Sequence, residues 1–360
     1  MKTKIETKAF AEAAAMAAAA CAKDALSPFS RVTLSASSNY LTATGGDGDV
    51  QVSVRVQAAT DKDWSYALPG ALLARFAGAL PPGVALLTGS GNGVSMECAG
   101  VRFRLSSDDG VASMTPPEAG VAEVYLPAIK LREILRKTKF AMSQDKTRTN
   151  LNGVNFKLAD GVLGATATDG RRLAHVECDV DASACWDGTL PRKTVDTLFA
   201  LLKDDGDVAV RCDGRVALFT SDKWILTTKL VDGVYPLWRK VVPEKADHKA
   251  VIGRVAFVDA LERAALSAED GGVAVGLGNG RATFGAKGKF SSAGSEVPDC
   301  KLGEGEQHSA LYDARILLDA LKASDDDELD WLFEDAAGRP VMIRGCGGVW
   351  MVVIMPMQVR

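Results

Sequence analysis

Six candidate helices recur in pairs along this 360-residue chain, and the recurrence constrains the fold more than any single motif does. They begin near Thr7 and Pro69, near Pro127 and Pro191, and near Arg254 and Tyr312. Members of a pair lie about 60 residues apart, so each pair implies a domain of about 120 residues. Apolar spacing supports the assignment. Leu73, Phe76 and Leu80 mark one stripe, Leu131, Ile134 and Leu135 another, and Val195, Leu198, Phe199 and Leu202 a third. These are the intervals at which side chains share one helical face. Pro127 and Pro191 fit a first helical turn, where the missing N–H would have no partner anyway.

Between the helices the pattern changes to alternation, clearest at Val50, Val52, Val54 and Val56 and in the run KWILTTKLV, which reads as antiparallel strand. Asn92-Gly93, Asp213-Gly214 and Asn279-Gly280 mark hairpin turns, since these dipeptides accept positive φ. No helix follows the glycine clusters GSGNG and GLGNG, so they read as turns and not as phosphate cradles. The fold class is therefore α+β, with two helices packed on antiparallel sheets in each of three tandem copies. The boundaries are 1–122, 123–246 and 247–360, with joins near 120–125 and 244–250. Tandem α+β units that do not form a solenoid point to a closed ring or a pseudo-symmetric arc.

Composition narrows the partners. A chain that is 47% hydrophobic and 24% charged folds into a globular protein, while a net charge of −4 excludes holding nucleic acid by bulk positive charge. Any DNA contact must be local or topological. Seven scattered cysteines with no CxxC pair indicate neither a disulfide framework nor a zinc site, and fit a reducing cytoplasm. The Ala-rich N-terminus follows basic residues like a signal peptide, but Glu6 and Glu12 interrupt it and alanine favours a helix. No run approaches the roughly 20 apolar residues of a membrane span. His175 and Cys178 fall on one expected strand with no orienting partner, and Asp325-Asp326-Asp327-Glu328 lacks the spacing of a calcium loop. No catalytic residue, metal or cofactor is expected.

One segment carries a specific resemblance. Leu151-Asn152-Gly153, then Ala167-Thr168-Asp169-Gly170-Arg171-Arg172-Leu173-Ala174, resembles the most recognisable stretch of the bacterial DNA polymerase III beta subunit, the beta sliding clamp family. LVDGVYPLWRKVVP at 230–243, YDARILLDALKA at 312–323 and the chain end VVIMPMQVR follow in the family's order. The resemblance covers essentially the whole chain and is weakest in the first third.

It implies a non-catalytic processivity factor that dimerises head to tail into a ring around double-stranded DNA. A peptide cleft would receive short Gln and Leu-Phe motifs of a polymerase subunit and the clamp loader. Its implied lining is Leu151, Thr168, Gly170, Arg171, Arg172, Leu173, Pro236, Lys240, Val241, Val353, Ile354, Met355, Pro356 and Met357. DNA-facing candidates are Lys23, Arg75, Lys130, Arg136, Lys137, Lys146, Arg148, Arg192 and Lys193; for any one of them taken alone, a solvated surface charge is the simpler reading. The implied dimer joint holds Phe103, Leu105, Ala265 and Leu266, of which Phe103 and Leu105 could also be core. Arg171 stands where the family has His, Lys240 where it has Arg, and the end is Gln358-Val359-Arg360. Lysine cannot reproduce a planar bidentate contact, so motif preference is open. A peptide-docking scaffold that no longer encircles DNA, and an accessory, phage or plasmid clamp, also remain open.

Overall fold

The computed structural model describes residues 1–107, 123–182, 185–203, 206–303, 305–336, 338–345 and 347–358. Residues 120–122 of the expected first join lie outside these residues, as do Val359 and Arg360.

The same element order is written three times. The first third runs β1 (Lys2–Glu6), α1 (Thr7–Ala20), β2 (Arg31–Ser37), β3 (Tyr40–Gly46), β4 (Val50–Thr60), β5 (Trp64–Pro69), α2 (Gly70–Gly78), β6 (Val84–Ser90), β7 (Gly93–Cys98) and β8 (Val101–Ser106). The second runs β9 (Glu123–Pro127), α3 (Ala128–Thr138), β10 (Gly153–Ala159), β11 (Val162–Thr168), β12 (Arg172–Asp179), β13 (Trp186–Pro191), α4 (Arg192–Leu201), β14 (Asp207–Cys212), β15 (Val216–Thr220) and β16 (Trp224–Lys229). The third runs β17 (His248–Gly253), α5 (Arg254–Ala265), β18 (Gly272–Gly278), β19 (Arg281–Lys287), β20 (Ser292–Pro298), β21 (His308–Asp313), α6 (Ala314–Ala323), β22 (Glu328–Phe333), β23 (Val341–Arg344) and β24 (Trp350–Ile354).

The six helix starts agree with the periodicity to within two residues. Pro69, Pro127 and Pro191 are the last residues of strands, so each proline ends a strand before its helix and does not open the helix itself. The helix that opens after Pro127 ends at Thr138, where Lys139–Ala141 tightens into a 3-10 turn. The hairpin assigned to Asn92-Gly93 turns one residue sooner. Gly91 takes the positive φ of 59° and Gly93 already pairs with Ser90.

Among the described residues the registered strand pairs are antiparallel, and the strands assemble by sheet and not by third. In one compact unit (Met1–Arg132, Asp181–Trp186 and Lys193–Leu230), the sheet order is β8-β7-β6-β1-β4-β16-β15-β14-β9, with β2, β3 and β5 added beside β4. β4 pairs with β16 from Trp224↔Val54 to Thr228↔Val50, so the first and second thirds share one sheet. In the other unit (Glu133–Val180, Asp187–Arg192 and Val231–Arg360), one sheet runs β13-β10-β11-β12-β24-β23-β22-β17, and a second runs β20-β19-β18-β21. There β12 pairs with β24, Leu173 opposite Val353, and the second third shares a sheet with the last.

The Ala-rich N-terminus is the helix α1. The Glu6 carboxylate accepts from the Ala9 and Lys8 N–H groups, a side-chain N-cap that also holds this acid below its usual range. Phe10, Ala13, Ala14, Ala17 and Ala20 are buried. The small residues let the helix lie close on β3: a Cβ on Gly45 would stand 2.2 Å from the Ala17 carbonyl oxygen.

Candidate functional site

The residues 168–172 form a tight turn between β11 and β12. Gly170 takes a φ of 88°, a conformation that favours glycine. Asp169 closes the turn by accepting from the N–H groups of Arg171 and Arg172 at 2.9 and 3.0 Å. The Thr168 hydroxyl donates to the Arg172 carbonyl at 2.7 Å and accepts from the Gly170 N–H. Arg148, on the turn leading to Leu151, places Nη1 3.0 Å from where a Gly170 Cβ would stand, which brings two candidate sets together at one point.

Both arginines after the turn reach the last third. Arg171 donates to Asp313 at 2.8 Å from an exposed position. Arg172, almost buried, donates from Nε to Asp169 at 3.1 Å and from Nη1 to Asp319 at 2.8 Å. An exposed pair of the first kind contributes little to stability, whereas the second keeps a shielded guanidinium satisfied.

Beyond β24 the chain stays tied to the same turn. The Met355 N–H donates to the Arg171 carbonyl at 2.9 Å, and the Met357 N–H to the Leu311 carbonyl at 2.7 Å. Met355 is 46% exposed, but Leu173, Val353 and Ile354 are buried. Leu173 and Val353 stand opposite each other on one face of the sheet, and Ile354 is buried on the other. Successive strand residues face opposite sides, so burial of Val352, Val353 and Ile354 in a row means that both faces of β24 are covered. Leu151 is buried too.

Leu173 and Val353 join Met342 in an apolar cluster, and Trp238, Val242, Leu332 and Met351 pack against it. Trp238 opens a short 3-10 turn, Trp238–Val241, which leaves Pro236 and Lys240 exposed. Leu237 is 71% exposed, Val241 60% and Val234 87%, a run of uncovered apolar side chains beside that cluster. Sequence reading missed Trp238, Val242, Met342 and Leu237. The one available signal was the interleaving of apolar residues through a turn-forming stretch, GVYPLWRKVV. Tyr235 is buried next to Thr168, and burial pushes its phenol well above the ordinary range.

The basic candidates divide by what already holds them. Lys193 donates to the Ala20 and Cys21 carbonyls at the end of α1 and pairs with Asp47. Arg136 donates to the Ala323 carbonyl at the end of α6 and pairs with Asp325. Arg132 does the same for α4, at the Phe199 and Leu202 carbonyls. Unpaired carbonyls and a partial negative charge gather at helix C-termini, so these cations serve as caps. Arg192 donates to the Met142 and Ser143 carbonyls, and Lys137 pairs with Glu133 at 2.6 Å. Lys130 is half-buried; Lys23, Arg75, Lys146 and Arg148 are exposed.

The candidate joint residues lie at two sheet margins. β8 ends its sheet, with Leu105 buried and Phe103 stacked on Phe76 at a centroid distance of 4.6 Å. Leu105 is thus a core residue of its own unit, the alternative that the sequence left open. β20 ends the four-stranded sheet, and α5 packs on it with Ala265 half-buried and Leu266 88% exposed.

A β-α-β4-α-β3 unit repeated three times, its sheets joined across the repeats, defines a clamp-type α+β protein. The DNA polymerase III beta subunit central domain matches residues 125–237. A beta sliding clamp of Rickettsia felis is 24% identical over 364 residues, 96% of each chain. One from Halalkalibacterium halodurans is 30% identical over 220 residues, 59% of this chain and 58% of the relative. Among solved structures, the sliding clamp of Bartonella birtlesii bound to griselimycin aligns over 100% of both chains, with 26% identity and a TM-score of 0.90. The chain belongs to the beta sliding clamp family, the beta subunits of DNA polymerase III, and is a non-catalytic processivity subunit.

Proposed function

We propose that the chain closes as a head-to-tail homodimer around duplex DNA and tethers a polymerase subunit and the clamp loader through a peptide cleft at the β12–β24 margin. The observation that carries the cleft is the apolar run Leu237, Val241 and Met355, left uncovered beside a buried floor of Leu173 and Val353. A pocket with an aliphatic floor, a flexible methionine wall and a few polar rim groups suits an apolar peptide anchor. Arg171, Arg172 and Lys240 supply the rim, with Thr168, Gly170, Pro236, Pro356 and Met357 around it. Griselimycin bound to the related clamp supports a ligand site in this family.

DNA is held by closure and by local phosphate contacts that carry no sequence information. Lys23, Arg75 and Lys146 are the stronger candidates, with Arg148, whose pair with Asp145 is exposed and long at 3.8 Å, since Arg136, Lys137, Arg192 and Lys193 already serve closer intrachain partners. The joint is formed by the β8 edge of one protomer meeting the β20 edge of its partner, with Phe103, Ala265 and Leu266 beside it. Open strand edges supply unpaired backbone groups for such an addition.

Retention on DNA tests this reading. The protein loaded on a nicked circle should stay bound and be released when the circle is linearised; equal release from both would exclude a ring. Deleting Met355–Arg360 should abolish calorimetric binding of a Gln and Leu-Phe peptide while leaving the dimer mass unchanged.

A further inference from the structure

His175 lies on β12 two residues past the cleft floor, and its ring is held on three sides. The Glu177 carboxylate can only accept, so His175 Nε2 carries the proton and donates to it at 2.9 Å, which leaves Nδ1 to accept from the Thr166 hydroxyl at 2.8 Å. The imidazole also lies against the Trp238 ring, with centroids 4.2 Å apart. From the other direction, Arg239 stands 4.8 Å from the Trp238 centroid and donates to the same Glu177 oxygen at 3.1 Å. Trp238 in turn packs on the Leu173, Met342 and Val353 cluster. An aromatic flanked by an imidazole and a guanidinium, both fastened to one carboxylate, is a side chain held in place and not merely buried.

We infer that His175 is a positioning residue for the cleft. It fixes Trp238, and with it the Trp238–Val241 turn, in the arrangement that accepts a peptide, and its protonation loosens that arrangement. The inference rests on the cleft reading above. The charged groups facing the imidazole are Glu177 on its own strand and Arg239 on the turn; Thr166 from β11 is neutral, and Met351 stands opposite on β24. Protonation sets a second cation against Glu177 and against Trp238, both already engaged by Arg239. The exposed Arg239–Glu177 contact is the weaker of the two and yields first. Burial holds the His175 imidazole below the ordinary histidine range, with Glu177 opposing that effect, so the device acts on the acid side of neutrality.

The test measures affinity and Trp238 environment together. Protein labelled with 5-fluorotryptophan, its Trp238 resonance assigned with W238F, is titrated with acid, and binding of a labelled peptide carrying Gln and a Leu-Phe pair is followed in parallel. Expected for the wild-type chain is a Trp238 shift with a midpoint below the free histidine value, and peptide affinity falling about threefold to tenfold over the same range. H175F keeps a ring against Trp238 but cannot titrate, so it should hold affinity within about twofold near neutrality and lose the pH profile. H175A should bind about tenfold more weakly at every pH. The inference is overturned by H175F keeping the wild-type profile, or by H175A binding as the wild type does. A wild-type chain that binds no peptide at any pH, while its Trp238 resonance still titrates and H175F silences it, upholds the positioning and overturns the cleft reading instead.

Discussion

His308 has no part in the proposed cleft, yet it ties the last third to acidity. Its Nε2 lies 2.8 Å from the Tyr312 hydroxyl, and its ring sits 4.7 Å from that of Phe333 and 6.1 Å from that of Trp331. Burial in this aromatic nest depresses its pKa to about 4. The unfolded chain therefore binds a proton that the folded chain refuses, so stability is full above about pH 6.5 and is lost as pH falls toward 4. The expected loss is about 2 kcal/mol, allowing for the partial exposure of the ring. Urea unfolding at stepped pH checks it, and a His308→Phe chain should lack that dependence. His248 has the opposite sense. Glu306 first, and then Asp335, raise its pKa, so its contribution is present at low pH and fades as pH rises through the folded value. Of the site residues, those in contiguous motifs were legible in the sequence: Gly170 and Asp169 announce a turn wherever they occur. Trp238 and Met342 were not, because their role comes from meeting Leu173 and Val353 across the chain, and no local pattern encodes that meeting.

At the scale of elements, the lysines and arginines bordering the apolar stripes have a structural job that their spacing does not reveal. Sequence periodicity shows where a basic residue lies on its own helix, but not which other helix ends beneath it. Arg132 meets the last carbonyls of α4 at 3.0 and 2.9 Å and also lies 4.2 Å from the Phe199 ring centroid. Replacing it with Met keeps the stem packing and removes the cap, which should destabilise the protein by about 1 to 2 kcal/mol. The loss would appear as a lower denaturation midpoint with unchanged slope. An unchanged midpoint would mean that water serves those carbonyls equally well. Helix starts were legible to within two residues because they depend on caps and on one turn of local spacing. The ends of α3 and of the β6–β7 hairpin were not, since a 3-10 turn and a shifted register both answer to neighbouring strands.

The whole molecule depends on edges. Antiparallel sheets of this length leave margins at β8 and β20, and a folded protein must cover, charge or pair such edges to stay soluble. Arg102 and Arg104 point out from β8, while Leu266 stands uncovered beside β20. If these margins form the protomer joint, Leu266→Asp should convert a dimer into a monomer by light scattering, with the far-ultraviolet circular dichroism unchanged. A dimer of undiminished mass would place the joint elsewhere. The threefold repeat was readable from helix spacing, but the sheet joins were not: Trp224 pairs with Val54 and Leu173 with Val353, each across some 170 residues or more, beyond the reach of any periodicity.

Those joins also decide what can be taken apart. Each third of the chain is a complete paragraph of sequence, yet β4 and β12 each lie inside a sheet of their own unit that two thirds share, hydrogen-bonded on both sides. A fragment ending at the first repeat boundary would present β4 as a raw, valine-rich margin, the kind of surface that recruits other chains into aggregates. Cleavage of the polar segment at 244–247, just before β17, leaves the β12–β24 ladder intact, so the severed pieces should remain together on a native gel and separate only in denaturant. The repeats of this chain are thus copies that cannot be borrowed singly, and a recombined clamp must exchange whole sheets or nothing.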